Sequence, residues 1–462
     1  MKLTIPTVQK KLLSEIKNDP RILSLFVLND FQIKDCQLDT LMEDAYYTAK
    51  SFEQRDRALF FSLVYGVIRW KSHLDFVIKQ FSRTSFSKID ISICNVLRIG
   101  LFQILFMDRI PHHAAVNTSV EVARIFAPPY LIRFVNGVLR HATRSIETIH
   151  WPDESKNIAE SMAINYSFPK WLIHRWIQEW GKDETQALCI SNNIIPPIIL
   201  RSNTIKINRK DLIVHLHSNV KTISETTHAP DGIFISGLNQ QLDQMESFKN
   251  GYFQVQDEAA QLISLLVSPK AGEKILDACA GRGGKTGHLA QIMKNQGSIW
   301  AVDQSSQKLN TLSSEMKRLE VTNVKTYQHQ WKKPIDNHFF DRILLDAPCS
   351  GLGVIRRHPD MKWKKTKQHI VQNQKKQARL LEIISTQLKP GGKLVYAVCS
   401  LEPEETWNTI EKFLSHHTNF TIEKSVDPIL DPFINDKGYF ITRPDKHQMD
   451  GFFAVCLTMN NE

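Results

Sequence analysis

Apolar residues recur at three- and four-residue intervals through most of the first 150 positions. Arg57 to Trp70 (RALFFSLVYGVIRW), Ile93 to Phe106 and Phe134 to Thr143 each carry an apolar stripe of helical period. The pattern predicts an all-α domain over residues 1–150, ending where WPDE follows His150. From Trp151 to Tyr252 the pattern is mixed. Trp171 to Trp180 reads as helix, and NNIIPPIILRSN then sets Pro196 and Pro197 before a short β-like run. Prolines are excluded from helix interiors and favour extended chain before them, so residues 151–252 read as a small α/β connector. From Phe253 the signal becomes regular. Asp257 and Glu258 open an apolar helix, acids being favourable at a helix start. Short apolar runs at Lys274–Asp277, Ile299–Asp303, Asn323–Tyr327, Arg342–Asp346 and Gly392–Cys399 alternate with helical stretches. That alternation predicts a parallel sheet wrapped by helices over residues 253–462, with GFFAVCL (Gly451 to Leu457) as a last strand.

Composition sharpens this division. Six of the 19 glycines precede residue 251 and thirteen follow from Gly251 onward, as a helical first half and a turn-rich second half require. At 462 residues, 42% hydrophobic and 23% charged, the chain reads as two or three folded domains. The sequence holds no run of about 18 apolar residues that could span a bilayer, and MKLTIPTVQKKLLSEIK lacks the apolar core of a secretory signal. Seven scattered cysteines do not form a disulfide framework. The expectation is a cytoplasmic protein without membrane or metal, monomeric by default.

Charge singles out one stretch. Net charge is +10, and Val354 to Leu380 alone contributes +8: nine Lys or Arg against Asp360. Arg356, Arg357, Lys362, Lys364 and Lys365 stand in this stretch together with Trp363 and His358. Cations interleaved with an aromatic suit a phosphate backbone and unstacked bases; a solvated Lys-rich helix face is the bland alternative. The five cations are therefore candidate RNA contacts.

Two further features carry chemistry. ILDACAGRGGKTGHL places Gly281, Gly283 and Gly284 between a strand and a helix, where backbone can approach a ligand closely. Asp303 ends the next strand 22 residues after Gly281, where an acid holding ribose hydroxyls is expected. The loop implies a bound nucleoside and leaves dinucleotide and S-adenosylmethionine both open. Two other strands end in LLDAPCSGLG, with Asp346 and Cys349, and in LVYAVCSLEPEE, with Cys399. A lone cysteine at a strand end is most often a small buried group. Two, each followed by Ser at the carboxyl end of one parallel sheet, point to a shared crevice with the glycine loop. The absence of CxxC or a suitably spaced His argues against zinc. Beside a methyl donor, a thiolate can add to carbon 6 of cytosine, so that carbon 5 attacks a sulfonium methyl; loss of the carbon 5 proton then expels the thiol. Asp346 could hold the ring nitrogen and exocyclic amine.

ACAGRGGKTGHL, Asp303, DRILLDAPCSGLGVIRRHPDMKW, YAVCSLEPEE and DGFFA together resemble the RsmB (Sun or Fmu) family of bacterial 16S rRNA cytosine-5 methyltransferases. DRALFFSLVYGVIRW, RIPHHAAVNTSVEVA and FVNGVLR resemble that family's NusB-like N-terminal domain. The resemblance implies a NusB-like RNA-binding domain, a connector, and a Rossmann-like S-adenosylmethionine-dependent catalytic domain. It implies that Cys399 is the nucleophile and that Cys349 assists product release. Cys279, Ala280, Gly281, Arg282, Gly283, Gly284, Lys285, Asp303, Gln330 and Asp346 would line the cofactor pocket. DNA cytosine methyltransferases attack instead with the cysteine of a Pro-Cys turn, which would be Cys349. Three positions depart from the family pattern: Arg282 replaces a usual Pro, Gln330 stands nearest an absent acid, and Val398 replaces a usual Thr. They motivate one alternative, a catalytically weakened RNA-binding or ribosome-assembly factor; another, a transfer-RNA cytosine-5 methyltransferase of the same chemistry, differs only in substrate.

Overall fold

The computed structural model describes residues 19–460, which form two compact units. Residues 1–18, on which the leader expectation rests, lie outside the described residues.

The first unit contains residues 19–193 together with 358–363. Among the described residues, seven α-helices, from Pro20–Ile33 to Pro129–Ser145, enclose one apolar core. Its central helix is Ile91–Phe106, whose near-continuous apolar sequence suits a helix buried on most sides. Asp90 starts it, accepting the Ser92 N–H at 2.8 Å. The polar residues inside it are paired: Arg98 donates to Asp75 at 2.6 Å and to Asn95 at 2.7 Å. Helices Ile158–Asn165 and Lys170–Asn193 belong to the same unit. Ser72 Oγ donates to the Ala163 carbonyl at 2.9 Å, and Arg69 Nη1 to the Asn192 carbonyl at 2.9 Å. The helical mass therefore runs to Asn193, past the connector's expected start.

The second unit begins with an antiparallel sheet of β1 (Ile198–Ser202), β2 (Val220–Glu225), β3 (Gly232–Leu238) and β4 (Phe253–Val255), in the order β2-β3-β1-β4. β1 follows the proline pair directly. Its eight-stranded partner sheet has the order β10-β12-β9-β8-β5-β6-β7, with β11 paired to β12. The strands are β5 (Lys274–Asp277), β6 (Ser298–Asp303), β7 (Val324–Gln328), β8 (Phe340–Asp346), β9 (Leu388–Val398), β10 (Phe420–Ile422), β11 (Tyr439–Thr442) and β12 (Phe452–Met459). β5 through β9 pair in parallel, whereas β10, β11 and β12 add an antiparallel edge. The sheet is thus mixed, a Rossmann-like α/β domain with two short strands that the periodicity does not reveal.

Period-two alternation divides the core between the two faces of this sheet. Leu344, Val395 and Ala397 pack on one side; Ile343, Leu345, Leu394 and Tyr396 pack on the other. The chain runs outward through β5, β6 and β7, then crosses back to lay β8 against β5. That reversal opens a crevice at the carboxyl ends of β5 and β8, where open α/β sheets hold their ligands.

Candidate active site

The glycine loop leaves β5 through Asp277 and enters the helix Gly284–Ile292. Gly281 and Gly283 have φ of +57° and +88°, a region that side chains rarely tolerate. A Cβ on Gly281 would meet nothing within 4 Å, so this backbone borders open space. Thr286 Oγ1 donates to Asp277 at 2.7 Å. Burial pushes the Asp277 carboxyl up to about 7. From the antiparallel sheet, buried Arg201 donates to the Gly284 carbonyl at 2.7 Å and to Gln254 at 2.9 Å. Burial lowers its guanidinium to about 9. The start of the loop helix is therefore held from two sides.

Asp303 closes β6 beside the loop. Its carboxylate accepts the Gly281 N–H at 3.1 Å and the Ser305 N–H at 2.8 Å. Cys279, Ala280 and Gly281 lie between β5 and this acid, while Arg282 is exposed. Gln330 is exposed in the segment after β7, where the His329 N–H reaches the Asp303 carbonyl at 3.1 Å. Burial holds the Cys279 thiol far above its ordinary value, with Asp346, Asp277 and Asp303 adding to the effect. Cys279 is therefore a neutral wall residue.

Lys285, in the first turn of the loop helix, donates to Asp346 at 2.6 Å at the end of β8. Burial alone would lower this ammonium; the Asp346 charge and hydrogen bond outweigh it and hold Lys285 above its ordinary value. The two cysteine turns follow. Cys349 Sγ and Cys399 Sγ stand 3.2 Å apart. The Gly353 N–H reaches the Cys399 carbonyl at 3.0 Å, linking one turn to the other. Gly353 also meets Gly451, whose N–H donates to the Gly353 carbonyl at 2.8 Å. A Cβ on Gly353 would collide with the Gly451 carbonyl, so DGFFA is seated directly on the first cysteine turn. The Cys349 thiol is pushed well up, first by its hydrogen bond with Cys399, then by burial, the Cys399 charge and Glu405.

The basic segment departs from expectation. Arg356 is buried, donating to the Gln448 carbonyl at 2.7 Å and lying 3.8 Å from Asp450. Arg357 bridges Asp450 at 2.8 Å and Asp257 at 2.5 Å. Lys362 is fully buried in the helical unit. Its Nζ donates to the Asn193 side chain at 2.7 Å and to the carbonyls of Ser167 and Arg69 at 3.1 and 3.3 Å. It also sits 3.6 Å from the centre of the Phe168 ring. These three side chains are engaged within the protein: the apolar and acidic neighbours of RRHPDMKW fold the segment inward. Lys364 and Lys365 are half-buried, and outward charge resumes at Lys367, Lys375, Lys376 and Arg379.

Sequence reasoning gives no site role of their own to Asp277, Arg201, Ser350, Ser400 and Glu405, reading Pro403, Glu404 and Glu405 only as a helix start near the thiols. The signal for Ser350, Ser400 and Glu405 is present, since each Cys is followed by Ser and the second turn by a paired acid. Pro403–Glu405 forms a 3₁₀ turn, and the helix proper starts at Trp407. Among the described residues no group of three or more His, Cys, Asp or Glu is arranged to hold a metal ion, and no helix is long and apolar enough to cross a membrane.

Three family models match: 16S rRNA methyltransferase RsmB/F over residues 264–458, the NusB family over 18–144, and the RsmF/B-like ferredoxin-like domain over 168–240. The chain is 34% identical to a probable ribosomal RNA small subunit methyltransferase B of Synechocystis, over 95% of this chain and 98% of that one. It is 35% identical to ribosomal RNA small subunit methyltransferase B of Klebsiella pneumoniae, over 87% and 90%. The crystal structure of PH0851 superposes with a TM-score of 0.79 at 27% identity, covering 95% of this chain and 98% of that one. NSun6 of Pyrococcus horikoshii, solved with the S-adenosylmethionine analogue SFG, shares the fold at 24% identity and a TM-score of 0.58, covering 64% of this chain and all of that one. The open glycine cradle beside Asp303 fits a nucleoside, and S-adenosylmethionine is the cofactor. The chain belongs to the ribosomal RNA small subunit methyltransferase B family.

Proposed function

We propose that this methyltransferase acts on carbon 5 of a cytosine in 16S rRNA through a covalent bond from Cys399 to carbon 6. The observation that carries the reading is the pair of thiols 3.2 Å apart at the ends of β8 and β9, beside Asp346 and the glycine loop. S-adenosylmethionine supplies, when bound, a methyl group on a positively charged sulfur. Cys279 to Gly284 and Asp303 would hold the donor, and Gln330 would lie toward its adenine end. Cys399 adds as thiolate to carbon 6, which raises the electron density at carbon 5 for attack on the methyl. Lys285 sets an ammonium near Cys399 and is bonded to Asp346, which would hold the base edge. Cys349, 3.2 Å from Cys399, assists the second half: a water molecule takes the carbon 5 proton, the carbon 6–sulfur bond breaks with its electron pair returning to sulfur, and Cys399 leaves as thiolate. The target must be unstacked to reach this crevice, so a loop nucleotide is favoured over one in a duplex.

Bisulfite sequencing of ribosomal and transfer RNA, from cells with and without the gene, tests the substrate. Loss of one unconverted cytosine in 16S rRNA is the expected result; loss in transfer RNA would keep the chemistry and change the substrate. No change at any cytosine would favour the binding-factor alternative. The nucleophile has its own test. Cys349→Ala should accumulate a protein–RNA adduct that shifts in denaturing gels, and Cys399→Ala should give none. Swapped phenotypes would move the attack to Cys349.

A further inference from the structure

Glu405 is fully buried, six residues beyond Cys399, in the 3₁₀ turn that follows the second cysteine turn. It is nonetheless bonded mainly to the first. One carboxylate oxygen accepts the Ser350 N–H at 2.7 Å, and the other accepts the Ser350 hydroxyl. The Gln377 amide reaches the same carboxylate at 3.4 Å and the Pro348 carbonyl at 3.0 Å. Ser350 Oγ lies 3.2 Å from Ser400 Oγ, so the residues after each cysteine meet above this acid. The Tyr396 hydroxyl fixes the Glu405 backbone carbonyl at 2.7 Å. All these donors to the carboxylate are neutral. A buried acid satisfied by N–H and O–H groups alone keeps its field on whatever lies beside it.

We propose that Glu405 is a positioning residue that clamps the Cys349 turn to the Cys399 turn and makes the two thiols unequal, leaving Cys399 as the one free to attack. This rests on the covalent reading above and adds the group that decides between two near-identical Cys-Ser turns. The charged and titratable groups around the pair are few. Cys349 faces Cys399, Glu405 and Tyr396, while Cys399 also has Lys285 nearby. Glu405 therefore sets a negative charge beside the Cys349 turn, while the ammonium near Cys399 is paired with Asp346. Glu405→Gln would retain an acceptor for the Ser350 N–H and remove the charge.

The test is the pH dependence of iodoacetamide alkylation of the full-length protein, without RNA or methyl donor, read at each cysteine by peptide mass spectrometry. In the wild type Cys399 should react at lower pH than Cys349, and the reverse order would overturn the proposal. In Glu405→Gln the Cys349 profile should move to lower pH, and an unmoved profile in the folded variant would overturn it. Should that variant fail to fold, Glu405→Asp, which keeps the charge but draws it back from Ser350, should show a smaller shift in the same direction. A Glu405→Asp profile indistinguishable from wild type would likewise overturn the proposal. With RNA present, Glu405→Gln should lower kcat about tenfold and leave KM for RNA unchanged, the mark of a group acting on the chemical step. Thiol reactivity is read without methyl transfer, so loss of the cytosine reading in the sequencing experiment would leave this result standing and separately interpretable.

Discussion

Two halves of one basic segment, residues 354–365 and 366–380, each carry a net charge of +4 and have opposite fates. Between Val354 and Lys365 the cations alternate with Ile355, Met361 and Trp363 and with Asp360, and the side chains of Arg356, Arg357 and Lys362 turn inward onto carboxylates and carbonyls. In the helix Lys367–Ser385 the buried residues Ile370, Gln377, Leu381 and Ile384 fall on one face at helical spacing. Lys375, Lys376 and Arg379 stand on the other and are exposed. Charge density reports neither arrangement; the spacing of apolar residues between the charges does. The inward half serves the fold, and the outward half faces solvent.

The largest expected effect that separates the halves is at Arg357. It holds Asp450 and Asp257 together, and Asp450 is pushed up to about 7 by burial first and by Asp257 second. Removing the cation in Arg357→Ala leaves two carboxylates close to one another in a buried site. A loss of about 3–5 kcal/mol in unfolding free energy is expected at neutral pH, measured by urea titration. A loss below about 1 kcal/mol, the range of surface ion pairs, would place Arg357 with the outward half instead.

Lys362 is next. Lys362→Ala removes a buried four-carbon stem and leaves three oxygen acceptors without their donor, an expected cost of about 2–4 kcal/mol. The pH dependence is a finer test. Burial, then Arg69, holds the ammonium well below its ordinary value of 10.5. Between that depressed value and 10.5 the unfolded chain binds a proton that the folded chain releases, so this group's contribution to stability rises with pH through the window. Lys362→Met abolishes the contribution. The difference between wild-type and Lys362→Met unfolding free energies should therefore grow with rising pH below 10.5, and a difference constant in pH would mean that Lys362 titrates as it does in water.

The same contrast explains what the sequence makes legible. β5 carries the predicted bounds, and β6 through β9 overlap their predicted runs, because buried parallel strands are continuous apolar words bounded by turns. β10 and β11, of three and four residues, are too short for a period to emerge. The glycine loop and the two cysteine turns are readable because strand ends of one parallel sheet converge by topology alone. Asp277, Glu405 and Arg201 are not. Each is an ordinary polar residue whose burial and partners depend on other parts of the chain: Thr286 for Asp277, Ser350 for Glu405 and Gly284 for Arg201. The acid run PEE reads equally well as a favourable helix start, and only the fold turns its last member inward.

The smallest effect on stability should be the largest on RNA. Gln in place of Lys375, Lys376 and Arg379 together alters exposed side chains on a solvent-facing stretch, and unfolding free energy should change by about 0.5 kcal/mol or less. Affinity for a 16S rRNA fragment should respond differently, since each cation that neutralises a phosphate releases condensed counterions on binding. If all three contact phosphate, the slope of log affinity against log salt should become shallower by about 2 to 3, from a decrement of roughly 0.7–0.9 per contact. The weakening should be greatest at low salt and uniform across RNA sequences, because backbone contacts position without specifying. Lys362→Met, measured where it remains folded, should leave that slope unchanged. A triple variant with the wild-type slope would show that the outward half is only a solvated helix face, and that RNA is gripped elsewhere on the molecule.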